Sequence, residues 1–306
     1  MSKYVTYFVD DNIRFLENIA KTKPASIFDD PYLGFHKKLH DELGLKVQLN
    51  VFYENFDRTF NLSMVPDTYK EEFMANKDWL SFGFHARHEL PDYPYLNATY
   101  QEVWDEYSMI ENEVIRFAGK ETLTKSAITH WVTMSKEGLM ALKDKGIEMI
   151  SCTMGDEVTY PEIRSGFSTE HNYTLLKNTT RNVSRAMVAR LGNGGAALVN
   201  HNNMSSELTS QYLGKIKLYQ DKETGLYYNR FYTILLNATR MCDLDAILER
   251  LKDQEHVCIA SHEQYFYSDY FAYEPDYADK VAYTLKYLLD KDFTHITLTD
   301  LIDLQK

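Results

Sequence analysis

Two adjacent aspartates, Asp10 and Asp11, and three widely separated histidines, His85, His130 and His262, are the residues of this 306-residue chain that could do chemistry together. One carboxylate and two imidazoles can hold a divalent ion and still leave a position open for water and substrate, which is the pattern of a catalytic site rather than a structural one. A second carboxylate beside the first can take a proton from that water, because neighbouring charges and the metal spread the proton affinities of the pair. A further imidazole can return a proton to a departing group. Hydrolysis of an amide or ester needs these parts: an activated water, a Lewis acid at the carbonyl oxygen and a proton donor.

Residues so far apart must be gathered by the fold, and the apolar pattern offers a way. Residues 4–9 form a short apolar strand that runs into Asp10 and Asp11, 80–84 into His85, 127–129 into His130, and 257–261 into His262 and Glu263. In a barrel of parallel strands the C-terminal strand ends converge on one face. Helical periodicity or helix end signals mark 12–21, 33–43, 69–74, 100–117, 136–145, 244–251 and 277–289, while 47–53, 147–152 and 295–297 read as further strands. Strand 127–129, helix 136–145 and strand 147–152 make a compact βαβ unit, which favours a parallel sheet with right-handed crossovers. Between about 155 and 237 the rhythm loosens: a loop carries Gly192, Gly194 and Gly195, and 215–219 with 226–235 read as a hairpin turning at 221–225. The expectation is α/β, a single barrel domain over 1–306 with this stretch as an insertion.

Bulk properties narrow the partners. Asp plus Glu number 45 against 33 Lys plus Arg, a formal charge of -12, which would repel the phosphates of nucleic acids and anionic membranes. The hydrophobic 44% is broken up by charge, with no run near the length that crosses a bilayer. Cys152, Cys242 and Cys258 are odd in number and widely spaced, as suits buried thiols in a reducing compartment. With no signal peptide visible, a soluble cytoplasmic protein is expected. Nothing in the sequence sets its oligomeric state.

In order, these motifs resemble those of the polysaccharide deacetylase (NodB-homology) superfamily, of which the chain looks like a divergent member. Tyr7-Phe8-Val9-Asp10-Asp11 resembles the family's opening Thr-Phe-Asp-Asp strand, and Gln48-Leu49-Asn50-Val51-Phe52-Tyr53 its next strand. Gly83-Phe84-His85-Ala86-Arg87-His88 matches the first histidine of the family's second motif, but His88 falls at a spacing of three instead of four. Thr129-His130-Trp131 stands where an Arg and Pro loop is usual and has neither; Ile259-Ala260-Ser261-His262 resembles the last motif. The resemblance implies a distorted β/α barrel and a metal-dependent hydrolase, deacetylase-like, acting on an N- or O-acylated carbohydrate or related amide with a divalent metal, zinc first. It implies Asp10 as base, Asp11 and His85 as metal ligands and His262 as general acid. His130 or His88 completes the ligand set. Trp131, Glu263 and Tyr265 flank these residues as candidate substrate contacts, Tyr265 within an aromatic run that reaches Tyr277 and could stack on sugar rings.

Other readings use the same residues. Asp10 and Asp11 could cap the helix that follows. Ile27-Phe28-Asp29-Asp30 looks even more like the first motif, yet Pro31 marks Asp30 as an N-cap. His36 and His40, four apart on that helix, read as a surface pair. A metal-free glycoside hydrolase could pair Asp10 with Glu263, and a barrel that only binds carbohydrate would need none of this chemistry.

Overall fold

The computed structural model describes residues 2–90, 93–154, 200–230 and 232–306. Its first half runs β1 (Lys3–Asn12), α1 (Arg14–Thr22), α2 (Pro31–Leu43), β2 (Val47–Phe52), α3 (Lys70–Ala75), β3 (Leu80–Ala86), α4 (Tyr100–Phe117), β4 (Ser126–Ala127), α5 (Lys136–Asp144) and β5 (Met149–Met154). Its second half runs β6 (Asn203–Met204), α6 (Ser206–Tyr212), β7 (Tyr219–Gln220), β8 (Tyr227–Arg230), β9 (Ile234–Leu235), α7 (Leu244–Leu251), β10 (His256–His262), α8 (Tyr277–Leu289), β11 (Phe293–His295) and α9 (Leu298–Asp303).

One sheet orders β3-β2-β1-β10-β9, with β11 also on β1, and the other orders β4-β5-β8-β7, with β6 on β5. Among the described strands, every pairing is parallel except β7 with β8. An isolated parallel bridge from Phe82 of β3 to Leu123, just ahead of β4, brings the two sheets together side by side as the wall of a distorted β/α barrel. Alternation along β1 separates the two sides of that wall. Val5, Tyr7 and Val9 join the large core under the helices, whereas Phe8 packs with Ile128, Met149, Cys258 and Ala260. All six residues of β2 are buried because both of its faces are covered.

The helices carry the expected signals. In α4, Val103, Tyr107, Ile110, Val114 and Phe117 are the buried positions, and a capping box of Thr99 with Glu102 starts the helix. Asp30 caps α2, accepting from the amides of Tyr32 at 3.0 Å and Leu33 at 3.1 Å, with Pro31 in the first turn. Asp29 closes a capping box with Ser26, so the second aspartate pair is structural. His36 is not on the surface. It is fully buried, its Nδ1 donates to the Tyr32 carbonyl and its ring meets Tyr32 edge-on at 4.5 Å. His40 stacks on Trp79 at 4.4 Å.

The start of α1 departs from expectation. Neither Asp11 nor Asn12 caps it, and Ile13 at the cap position makes no side-chain bond. Glu263, from the far end of the chain, accepts from the amides of Ile13 (2.7 Å), Arg14 (2.9 Å) and Phe15 (2.7 Å). A carboxylate at a helix N-terminus satisfies orphan donors and meets the positive end of the helix dipole.

Of the stretch expected as an insertion, 155–199, with Gly192, Gly194 and Gly195, lies outside the described residues. The expected hairpin is present as β7 and β8, but β8 also pairs in parallel with β5 and so belongs to the barrel wall. Cys152 and Cys258 are buried, while Cys242 is exposed. No described helix is long and apolar enough to cross a membrane.

The two caps predict different costs. Asp30→Ala should destabilise the fold by about 1 kcal/mol, whereas Glu263→Ala, which strands buried amides, should cost about 3 kcal/mol. Denaturant midpoints of the two variants check the ranking; equal shifts would contradict the role given to Glu263.

Candidate metal centre

Successive residues of a strand point to opposite faces, so Asp10 and Asp11 could not share one site in a regular strand. β1 solves this with a bulge. Its register against β2 slips between Val9 and Asn12, and Asp11 takes a left-handed φ of 62°. Bulges of this kind re-aim side chains beside active sites, and the left-handed conformation of a non-glycine residue is strain that surrounding contacts must hold. Another left-handed turn, Trp131 (φ 58°) and Val132 (φ 52°), follows His130.

The result is a buried cluster of Asp11, His85 and His130, whose ligand atoms all lie within 4.8 Å of one another. His85 Nε2 is 2.9 Å from Asp11 Oδ1 and 3.1 Å from His130 Nδ1, and that nitrogen is 3.5 Å from the same Asp11 oxygen. Each ring's other nitrogen faces a carbonyl: His85 Nδ1 at 2.6 Å from Ile128 O, and His130 Nε2 at 3.0 Å from Glu89 O. A carbonyl only accepts, so those nitrogens carry the hydrogens. The neutral tautomers thus leave His85 Nε2 and His130 Nδ1 as bare lone pairs pointing at a carboxylate oxygen. Backbone carbonyls set metal-binding histidines in this manner.

Around the cluster, the charges diverge. Burial would raise Asp11, but the imidazoles of His262, His130 and His85 outweigh it and hold the carboxyl well below its ordinary value. Burial and the neighbouring charge of Asp11 push Asp10 well above its own, against the opposing hydrogen bond from Asn50 Nδ2 at 2.8 Å. Burial lowers His85 and His262. Burial would lower His130, but the Asp11 carboxylate outweighs it and raises the ring, so the proton that Asp11 favours on Nδ1 is the one a metal would displace. His262 sits level with Asp10 in the β1–β10 register; its Nδ1 is 3.0 Å from Asn237 Oδ1 and its Nε2 is 4.0 Å from Asp11 Oδ2. Gln264 Nε2 donates to that Asp11 oxygen at 2.7 Å.

Two sequence-derived candidates lie elsewhere. His88 takes no part in the cluster: its Nε2 donates to Phe56 O at 2.9 Å and its Nδ1 accepts from Leu90 N at 3.0 Å, so the loop consumes both nitrogens. Glu263 has no exposed surface and its oxygens hold the start of α1, which removes it as a substrate contact and as the partner carboxylate of a glycoside hydrolase. Tyr265 is partly buried, 6.1 Å from the His262 ring and 5.2 Å from Tyr270. Trp131 is 44% exposed beside the His130 ring at 5.9 Å. A cleft of about 500 Å³ opens over Asp11, lined among others by Phe52, Phe56, Tyr270 and Phe271. Sequence reasoning passed over Asn50, Asn237 and Gln264. Only Asn50 left a signal, as a polar residue alternating with the apolar Leu49 and Val51.

No protein-family model matches the chain, and no curated protein does. Solved structures do. The chain is similar to a family 4 acetyl xylan esterase from Clostridium thermocellum in complex with a cobalt ion, at 11% identity over 99% of this chain and 91% of that one, with a TM-score of 0.42. It is similar to the chitin deacetylase from the fungal pathogen Colletotrichum lindemuthianum, at 11% identity over 97% and 86% of the two chains and a TM-score of 0.43. A 4-alpha-glucanotransferase from Thermococcus litoralis is similar over 99% of this chain but 40% of its own, at 11% identity and a TM-score of 0.49.

The geometry makes a selective prediction. Asp11→Ala, His85→Ala and His130→Ala should each lower zinc affinity about tenfold or more, whereas His88→Ala should leave it unchanged. Calorimetric titration with zinc checks this; a loss in His88→Ala equal to that in His130→Ala would contradict the ligand set.

Proposed function

We propose that this chain is a metal-dependent hydrolase of the deacetylase kind, which removes an acyl group from an N- or O-acylated carbohydrate. One observation carries the reading: the convergence of Asp11 Oδ1, His85 Nε2 and His130 Nδ1 with the ring hydrogens turned away. This donor set fits a zinc-like divalent ion and would hold it by one carboxylate oxygen and two imidazole nitrogens. When bound, such an ion supplies Lewis acidity at the carbonyl oxygen and makes a water acidic enough to attack near neutral pH.

The protein's own groups divide the proton work. Asp11 stays ionised among its imidazoles, while Asp10, buried beside that charge, has the higher proton affinity and serves as the base. His262 is the proton donor to the leaving group. Its Nδ1 is engaged by Asn237, which leaves Nε2 as the nitrogen that exchanges a proton. The carbohydrate assignment rests on the ordered motifs ending at Asp11, His85 and His262, and on exposed aromatic surface near the site. Phe56 and Phe271 are 67% and 91% exposed along the cleft, and Trp131 stands beside His130. Aromatic faces of this kind stack on sugar rings.

Chelator treatment should abolish release of acetate from acetylated chitin or xylan oligosaccharides, and added zinc or cobalt should restore it. Asp10→Asn should keep the metal and lose at least about a hundredfold in kcat. Chelator-insensitive cleavage of a glycosidic bond, or sugar binding without turnover by the metal-loaded protein, would contradict the proposal.

A further inference from the structure

Behind Asp10, inside the barrel, lies a line of buried polar side chains that the chemistry above does not use. Ser126 Oγ donates to Gln48 Oε1 at 2.6 Å, Gln48 Nε2 donates to Asn50 Oδ1 at 2.7 Å, and Asn50 Nδ2 donates to Asp10 Oδ1 at 2.8 Å. Thr124 Oγ1 extends the line from the far end, 3.0 Å from Ser126 Oγ. Ser126, Gln48, Asn50 and Asp10 are each no more than 3% exposed. The line has a direction. Turning both amides round would set Asn50 Oδ1 against Asp10 Oδ1, two acceptors face to face when Asp10 is ionised.

The neighbouring strand makes room for it. Asn50 pairs with Gly83 in the β2–β3 register, and a Cβ at position 83 would lie 2.6 Å from Gln48 Nε2 and closer still to Asn50 Oδ1. Glycine within a strand weakens it and often marks a close approach of other atoms. Buried amides are costly unless fully satisfied, and here each member meets its neighbour.

We propose that Gln48 and Asn50 are positioning residues for Asp10. The directed line from Ser126 keeps Asp10 Oδ1 as an acceptor and fixes the carboxyl plane, so that Oδ2 is the oxygen outside the line. The inference rests on the reading of Asp10 as the base. Gln48 touches neither Asp10 nor the metal-binding residues in the hydrogen bonds of the structure, so its influence must pass through the Asn50 amide.

The test compares Gln48→Leu, which removes the donor to Asn50, with Gln48→Glu, whose carboxylate would accept from Asn50 and turn its amide oxygen toward Asp10. Both should keep wild-type zinc stoichiometry and KM for p-nitrophenyl acetate. Their kcat should fall about tenfold for the leucine and about a hundredfold for the glutamate, the scale expected of a misplaced reacting group. Wild-type kcat in both folded, zinc-loaded variants would overturn the proposal, as would a loss seen only in thermal stability. Should Gln48→Glu fail to fold, Gly83→Ala, which crowds the same amides, takes its place with the same expected loss. If the wild-type protein hydrolyses nothing, the proposed function fails, and a crystal structure of Gln48→Leu still decides the inference: a reoriented Asp10 carboxyl supports it and an unmoved one overturns it.

Discussion

Three lone pairs aimed at one point are the constraint around which this barrel is arranged. Asp11 Oδ1, His85 Nε2 and His130 Nδ1 repel one another unless a proton or a metal cation lies between them, and the carbonyls of Ile128 and Glu89 hold the ring hydrogens of the neutral tautomers on the opposite sides. A single shared proton could relieve one of these contacts, but not all of them at once. Burial sharpens the demand, because little water reaches the cluster to screen it.

The backbone around the cluster serves that convergence. The bulge in β1 and the left-handed Asp11 bring both aspartates to one mouth, and the parallel register of β10 sets His262 beside Asp10. The next residue, Glu263, turns away and holds the amides that begin α1, so one short segment ties the loop after Asp11 to the strand that carries His262. A structural carboxylate thus sits beside His262 in sequence with a duty of its own. Asp29 and Asp30, which look more like the first motif by letter, cap helices instead.

Much of this could be read from residue order, because apolar runs at strand period ending in Asp or His specify both an element and the position of its last side chain. The helices 100–117, 244–251 and 277–289 were legible to the residue for the same reason: their apolar steps and end signals agree with the packing. What could not be read depends on contacts distant in sequence. Glu263 capping α1 joins residues some 250 positions apart. His36 looks like a surface residue until Tyr7 and Tyr32 close over it. Nor does a motif spacing reveal that the carbonyl of Phe56 consumes His88. Gln48 and Asn50 look like the wet face of a strand, and only the packing of distant residues such as Ser126 against that face makes it an interior.

Anomalous diffraction at the zinc edge from crystals grown with zinc tests the central claim most directly. The account predicts one strong peak about 2.0–2.2 Å from Asp11 Oδ1, His85 Nε2 and His130 Nδ1. A peak bound elsewhere, or none at this point while zinc occupies other sites, would contradict it.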